Sequence, residues 1–182
     1  ARKDSNIALK VIPGHFVTNH SHLNYYLDMT TMKTRQNEAE RIAIAMKDYY
    51  NVMDKPIDTI VCLDGCEVIG AFLASELSRS GVLSTNAHKT IYVQMIFRDN
   101  LKPEIYGKNV LLLLASATTG KTVRNSIECI EYYGGILQGI SAIFSAVDSI
   151  NGHRIDALFR ADDIPNYEAF AHSDCPMCKE GK

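Results

Sequence analysis

The amino-acid sequence predicts an α/β protein with a mostly parallel sheet flanked by helices, and three stretches carry that prediction. Residues 110–114 are an unbroken apolar run of the kind found in buried parallel strands, followed by a small-residue loop and a helix over about 122–133. Residues 60–63 form a second short apolar run rich in β-branched side chains. It is closed by the turn pair Asp64-Gly65, after which Val68, Phe72, Leu73 and Leu77 recur at helical spacing. Residues 136–146 supply a third, very apolar strand. Strands alternating with helices imply parallel pairing, with ligands at the carboxyl edge of the sheet.

Taken in order, residues 1–14 read as a lead-in that ends in a Pro13-Gly14 turn. Residues 36–50 read as a helix with acids early and a lysine late, matching the helix dipole. A strand over 58–63, a helix over 67–80 and strands over 82–85 and 89–98 follow, and a short strand near 154–160 comes after the run at 136–146. Asp162-Asp163 ahead of Pro165 reads as a turn or cap without a chemical role. No internal repeat or low-complexity segment interrupts the pattern.

Composition narrows the function classes. The 182 residues suffice for one domain with a sizeable core, and 46% hydrophobic with 22% charged residues is ordinary for a globular chain. Lys+Arg 19 against Asp+Glu 21 gives a net charge of −2 with no basic stripe, so neither nucleic acid nor a membrane surface is an expected partner. No stretch approaches the roughly 20 apolar residues of a bilayer span, and no signal peptide is visible. Cys62 and Cys129 read as core thiols of a reducing compartment, so a cytoplasmic protein is expected.

The loop after the 110–114 strand carries the strongest chemical signal. Ser116, Ala117, Thr118, Thr119, Gly120, Lys121 and Thr122 open a helix, where unpaired N–H groups and the positive dipole end attract phosphate. Residues 115–122 nearly match the triphosphate pattern G-x-x-x-x-G-K-[ST], with Ala115 at its first position and Asp148 as a distant magnesium acid. A second reading is the phosphoribosyl-pyrophosphate (PRPP) signature: four apolar residues, two acids, two small or apolar residues, then Thr-Thr-Gly-x-Thr. Residues 110–113 and 118–122 resemble its two ends, while the acidic pair falls on Leu114 and Ala115. A bare turn is the third reading.

Two further segments lean toward the PRPP reading. Residues 15–28, with Tyr25, Tyr26 and Asp28, are similar to the amino-terminal motif of orotate phosphoribosyltransferases, although Asn19-His20 replaces its Ser-Gly step and Thr18 its lysine. Asp64, Gly65, Cys66 and Glu67 stand where such transferases place their pyrophosphate loop. Over roughly residues 14–150 the chain thus resembles a phosphoribosyltransferase of the orotate type. The resemblance implies a type I phosphoribosyltransferase fold in a single domain over 1–182 and a homodimer. It also implies transfer of ribose 5-phosphate from PRPP–Mg²⁺ to a nitrogenous base, with Tyr25, Tyr26 and Asp28 on the base side. The missing acids leave open a non-catalytic PRPP- or nucleotide-binding module, and a P-loop hydrolase is the remaining alternative. Asp64 and Glu67 are the nearest acids for Mg²⁺. The uninterrupted run 91–98 falls where this family carries a long hood, so a hood omitted between about Val93 and Ile96 is expected, and an intact mass equal to 20.3 kDa would refute it.

The carboxyl-terminal stretch 172–182 holds Cys175-Pro-Met-Cys178, the shape of a zinc knuckle. His172, His20 and His22 are the expected partners of Cys175 and Cys178 around a structural Zn²⁺, against a redox pair or an unligated tail.

Overall fold

The computed structural model describes residues 1, 4–50, 56–79, 86–89 and 96–181. Its centre is a six-stranded sheet in the order β4-β3-β5-β6-β8-β7, built from β3 (Thr59–Cys62), β4 (Asn86–Lys89), β5 (Asn109–Ala117), β6 (Ile136–Ser145), β7 (Ser149–Ile150) and β8 (His153–Arg160). All neighbours are parallel except β7 and β8. Between the strands run α2 (Gln36–Lys47), α3 (Glu67–Arg79) and α4 (Lys121–Tyr132). The expected α/β class with a mostly parallel, helix-flanked sheet is what forms.

Strand alternation divides the core into two layers. Leu111, Leu113 and Ala115 of β5 face the side where Ile42 and Met46 of α2 meet Ile69, Leu73 and Leu77 of α3. Val110, Leu112 and Leu114 face the other side, against Val123, Ile127 and Ile130 of α4. Six consecutive β5 residues, 110–115, are buried, which is why that segment reads as one continuous apolar run.

A second, three-stranded sheet consists of β1 (Lys10–Val17), β2 (His22–Asp28) and β9 (Ala169–Phe170), all antiparallel. The short helix α1 (Thr30–Thr34) leads from β2 back to the main body, and α5 (Pro176–Lys179) closes the tail. Here the sequence expectation of a turn at Pro13-Gly14 is corrected. The two residues sit inside β1 at an irregularity between Pro13 and Phe16, where a missing proline N–H is tolerated. Gly14 is fixed there by contact: a Cβ would lie 2.8 Å from the Phe16 ring. The reversal comes instead at 18–21, where the Thr18 N–H and hydroxyl both donate to the Ser21 carbonyl at 2.8 Å.

Residues 80–85 and 90–95 lie outside the described residues, and with them the expected strand over 82–85, most of that over 89–98 and the expected missing hood. Residues 96–98 carry no strand. No helix among the described residues is long and apolar enough to cross a membrane.

Candidate active site

At the carboxyl ends of β3 and β5 the chain leaves the sheet through two tight turns, and the β1–β2 hairpin tip arches over them. Together they enclose a cavity of ≈ 660 Å³. Its floor is Leu63, Asp64, Ala115 and Ser116; Thr118, Thr122 and Asn125 form one wall. The hairpin supplies Thr18, Asn19, His20 and Tyr26, and Lys33 enters from α1. A neighbouring recess of ≈ 540 Å³ shares Asn19, His20 and Asn125 and adds Thr119, Lys121, Arg124 and His172.

The turn into α4 is tighter than the sequence implied. β5 continues through Ser116 and Ala117, which pair with Phe144 and Ser145 of β6, so the expected loop over 116–122 shrinks to 118–120 before α4 starts at Lys121. Ala117 is buried in the α4-side core. Gly120 is the N-cap at φ 72°, a conformation glycine adopts without steric cost, and an added Cβ would come within 2.0 Å of Ile150 Cδ1. Of the eight residues 115–122, three are strand and two are helix. That leaves too little free backbone to wrap a triphosphate in the P-loop manner.

The β3 turn is built from two successive left-handed residues, Asp64 at φ 56° and Gly65 at φ 78°. The Asp64 carboxylate accepts hydrogen bonds from the backbone N–H of Ala115 and Ser116. Lys33 Nζ donates to the Asp64 carbonyl at 2.8 Å. Burial raises the Asp64 pKa above its ordinary value, and Lys33 and the two N–H groups offset part of that rise. Cys66 is buried beneath the turn, where desolvation pushes its thiol up, and Glu67 opens α3.

Alternation along β2 separates the two tyrosines. Tyr26 lines the cavity beside Phe16, ring centroids 5.6 Å apart, while Tyr25 packs against the α2/α3 core. Asp28 lines neither: it accepts from the Thr30 N–H at 3.1 Å and pairs with Lys10 at 3.3 Å, and together these lower its pKa from the ordinary value. Of the acid-pair positions, Leu114 points into the α4 core and Ala115 into the cavity.

No family model matches the chain. It is 26% identical to the orotate phosphoribosyltransferase of Pelotomaculum thermopropionicum, over 94% of this chain and 86% of that one. With the orotate phosphoribosyltransferase of Caldicellulosiruptor bescii the identity is 28%, over 98% and 89%. The structure of Mycobacterium tuberculosis orotate phosphoribosyltransferase with Fe(III) dicitrate superposes with a TM-score of 0.63 at 15% identity, covering 85% of this chain and 91% of that one. The complex of the same enzyme with 5-phospho-α-D-ribosyl 1-diphosphate superposes at 0.58 and 15% identity, covering 76% and 82%. The fold is the phosphoribosyltransferase fold, and the sequence is orotate phosphoribosyltransferase-like.

Within this phosphoribosyltransferase fold the cavity gathers Tyr26, Asp64, Ser116, Thr118 and Thr122 from three separate sequence motifs, with Thr119 and Lys121 in the adjoining recess. Lys33 is a cavity residue that sequence reasoning missed, because a lysine in a five-residue helix carries no motif. The tail motif is assembled differently from expectation. Cys175 and Cys178 meet His22, but the second imidazole is that of His15. His20 sits at the hairpin tip in the cavity wall, and His172 lies outside the donor set with its ring edge-on to His22, centroids 4.7 Å apart. Asp163 accepts from the Arg160 N–H at 2.8 Å, a cap as expected.

Proposed function

We propose that this chain transfers ribose 5-phosphate from PRPP to a nitrogenous base, orotate or a related one, releasing pyrophosphate. The observation that carries the reading is the three-residue turn with left-handed Gly120 at the start of α4, opening into a cavity opposite the Asp64-Gly65 turn. The 5′-phosphate belongs on the α4 turn. There the Thr118 and Thr122 hydroxyls and the first N–H groups of a 12-residue helix serve as donors, and the dipole favours the dianion. The pyrophosphate belongs at the Asp64–Glu67 turn beside Lys33, and the base against Tyr26, Asn19 and His20.

In this arrangement the bond from C1′ to the pyrophosphate oxygen breaks as the base nitrogen bonds to C1′, and the pyrophosphate leaves with the electron pair. Positive charge develops on the ribose ring, so catalysis comes from positioning, a fixed electrostatic environment and exclusion of water. Mg²⁺ belongs to this reading as part of the PRPP complex and neutralises the leaving pyrophosphate. It takes most of its ligands from phosphate and water, so the single carboxylate that lines the cavity among the described residues, Asp64, fits the demand. The cavity replaces the ribose-binding acids with Ala115, which leaves the ribose hydroxyls to Asp64 and Ser116. A homodimer and a cytoplasmic location complete the proposal. The His/Cys cluster is a candidate Zn²⁺ site outside the transfer chemistry.

Calorimetric titration with PRPP–Mg²⁺, with ATP–Mg²⁺ as control, tests the reading. PRPP binding alone, followed by pyrophosphate release with a base from a pyrimidine and purine panel, is the expected result. Binding of ATP alone, or of neither, overturns it; PRPP binding without turnover on any base reduces it to a binding module.

A further inference from the structure

The four donors behind the hairpin are arranged as a metal site. His15 Nε2 and His22 Nδ1 are 2.9 Å apart; Cys175 Sγ is 3.5 Å from His15 Nε2; Cys178 Sγ is 3.6 Å from His15 Nε2 and 3.2 Å from His22 Nδ1. All four atoms lie within 4.8 Å of one another. A tetrahedral Zn²⁺ with Zn–N of ~2.0 Å and Zn–S of ~2.3 Å sets edges of ~3.3 Å between nitrogens, ~3.5 Å between nitrogen and sulfur and ~3.8 Å between sulfurs. The cluster reaches these figures if the two imidazole nitrogens and the Cys178–His22 pair open by a few tenths of an ångström and its widest separation, within 4.8 Å, draws in.

The local structure explains the convergence. Cys175 is the N-cap of α5 and Cys178 lies one turn on, so both thiols project from one side of a tail stiffened by Pro176. In the hairpin Val17 pairs with His22, and His15 stands two residues from Val17, on the same face of the ribbon as His22. Cys175 is 1% and His22 7% exposed, whereas Cys178 is exposed, so the cluster is enclosed on one side and open to an entering ion on the other.

We propose that His15, His22, Cys175 and Cys178 bind one Zn²⁺ as a structural Cys₂His₂ site. The ion replaces the two thiol protons, which pass to solvent, and the neutral imidazoles coordinate through His15 Nε2 and His22 Nδ1, leaving the centre uncharged. A redox disulfide would use the two sulfurs alone and give the two imidazoles no role. The ligands also locate the function of the ion. His15 and His22 flank the tip that carries Asn19 and His20 into the cavity, and their partners come from residues 160 positions away. Zinc therefore fastens the outer wall of the cavity to the end of the chain. The metal assignment stands independently of the transfer reading.

Metal analysis of the full chain, followed by Co²⁺ reconstitution of the chelator-treated protein, tests it. One zinc per chain is expected, with a Co²⁺ adduct giving thiolate-to-metal charge transfer and the intense ligand-field bands of a tetrahedral centre. Cys178→Ser and His15→Ala are expected to lose stoichiometric metal, while His172→Ala and Cys129→Ser retain it. A chromophoric chelator in competition with the unmodified chain reads the affinity without any variant, should Cys178→Ser fail to fold. No zinc with a flat Co²⁺ spectrum overturns the proposal. So does a metal-free chain two hydrogens light under non-reducing conditions, full metal in His15→Ala, or complete loss in His172→Ala.

Discussion

Burial, with a smaller push from Glu67, raises the Asp64 pKa while the Lys33 charge and two backbone N–H groups lower it, and burial is the larger. The folded chain therefore holds the Asp64 proton to a higher pH than the unfolded chain does. Between the ordinary pKa of 3.8 and the raised folded value, the native state binds more protons, so stability contributed by this residue falls as pH rises through that window. Above it the cost of the buried charge is fully present. Asp64→Asn removes the charge and keeps an acceptor for the Ala115 and Ser116 N–H groups. The expected outcome is a higher Tm at neutral pH, a gain that shrinks toward zero below pH of about 4, where both side chains are neutral. PRPP–Mg²⁺ affinity is expected to fall in the same variant. A Tm that drops at neutral pH would show that the charge-assisted hydrogen bonds outweigh desolvation.

The β5–turn–α4 element was legible because several local signals agree within it. A buried strand demands an apolar run, a turn of three residues demands a left-handed position, and Gly120 is the only glycine available there. What the sequence hid was the strand's true end: Ser116 and Ala117 look like loop residues, yet in-register pairing with β6 keeps them extended. The Tyr25/Tyr26 division was hidden likewise until β2 had a register, since alternation decides which ring faces the core. Gly120→Ala measures how strongly this element depends on its turn. A left-handed alanine and the contact with Ile150 together are expected to cost about 1–3 kcal/mol, read as a lower urea midpoint with unchanged slope. An unaltered midpoint would contradict the observed backbone at this position.

At the scale of the whole molecule, the β1–β2 hairpin packs Val11, Tyr25 and Leu27 on the α2/α3 core and is tied to the carboxyl-terminal segment through three small sets of contacts. β9 pairs with β2 at only two positions, His22↔Phe170 and Leu23↔Ala169. The Asn24 side chain accepts from the Glu168 N–H at 2.8 Å and donates to the Asn166 carbonyl. The His/Cys cluster is the third attachment. His15 was missed as a ligand for a reason that belongs to this scale: reading Pro13-Gly14 as a turn removed β1, and without β1 no register places His15 beside His22. The core strands, by contrast, are buried in two layers that do not involve the tail. Local opening free energies follow contact density, so removing one of three attachments loosens the hairpin and leaves the centre of the sheet untouched. Chelator treatment is therefore expected to speed amide hydrogen exchange in residues 10–28 and 169–178, with no change in 109–115 or 139–145. Cys178→Ser is expected to reproduce that pattern without chelator. Exchange that rises uniformly would mean that the cluster supports the whole fold, and exchange that does not rise at all would mean that β9, Asn24 and the packing of Val11, Tyr25 and Leu27 on the core hold the hairpin without it.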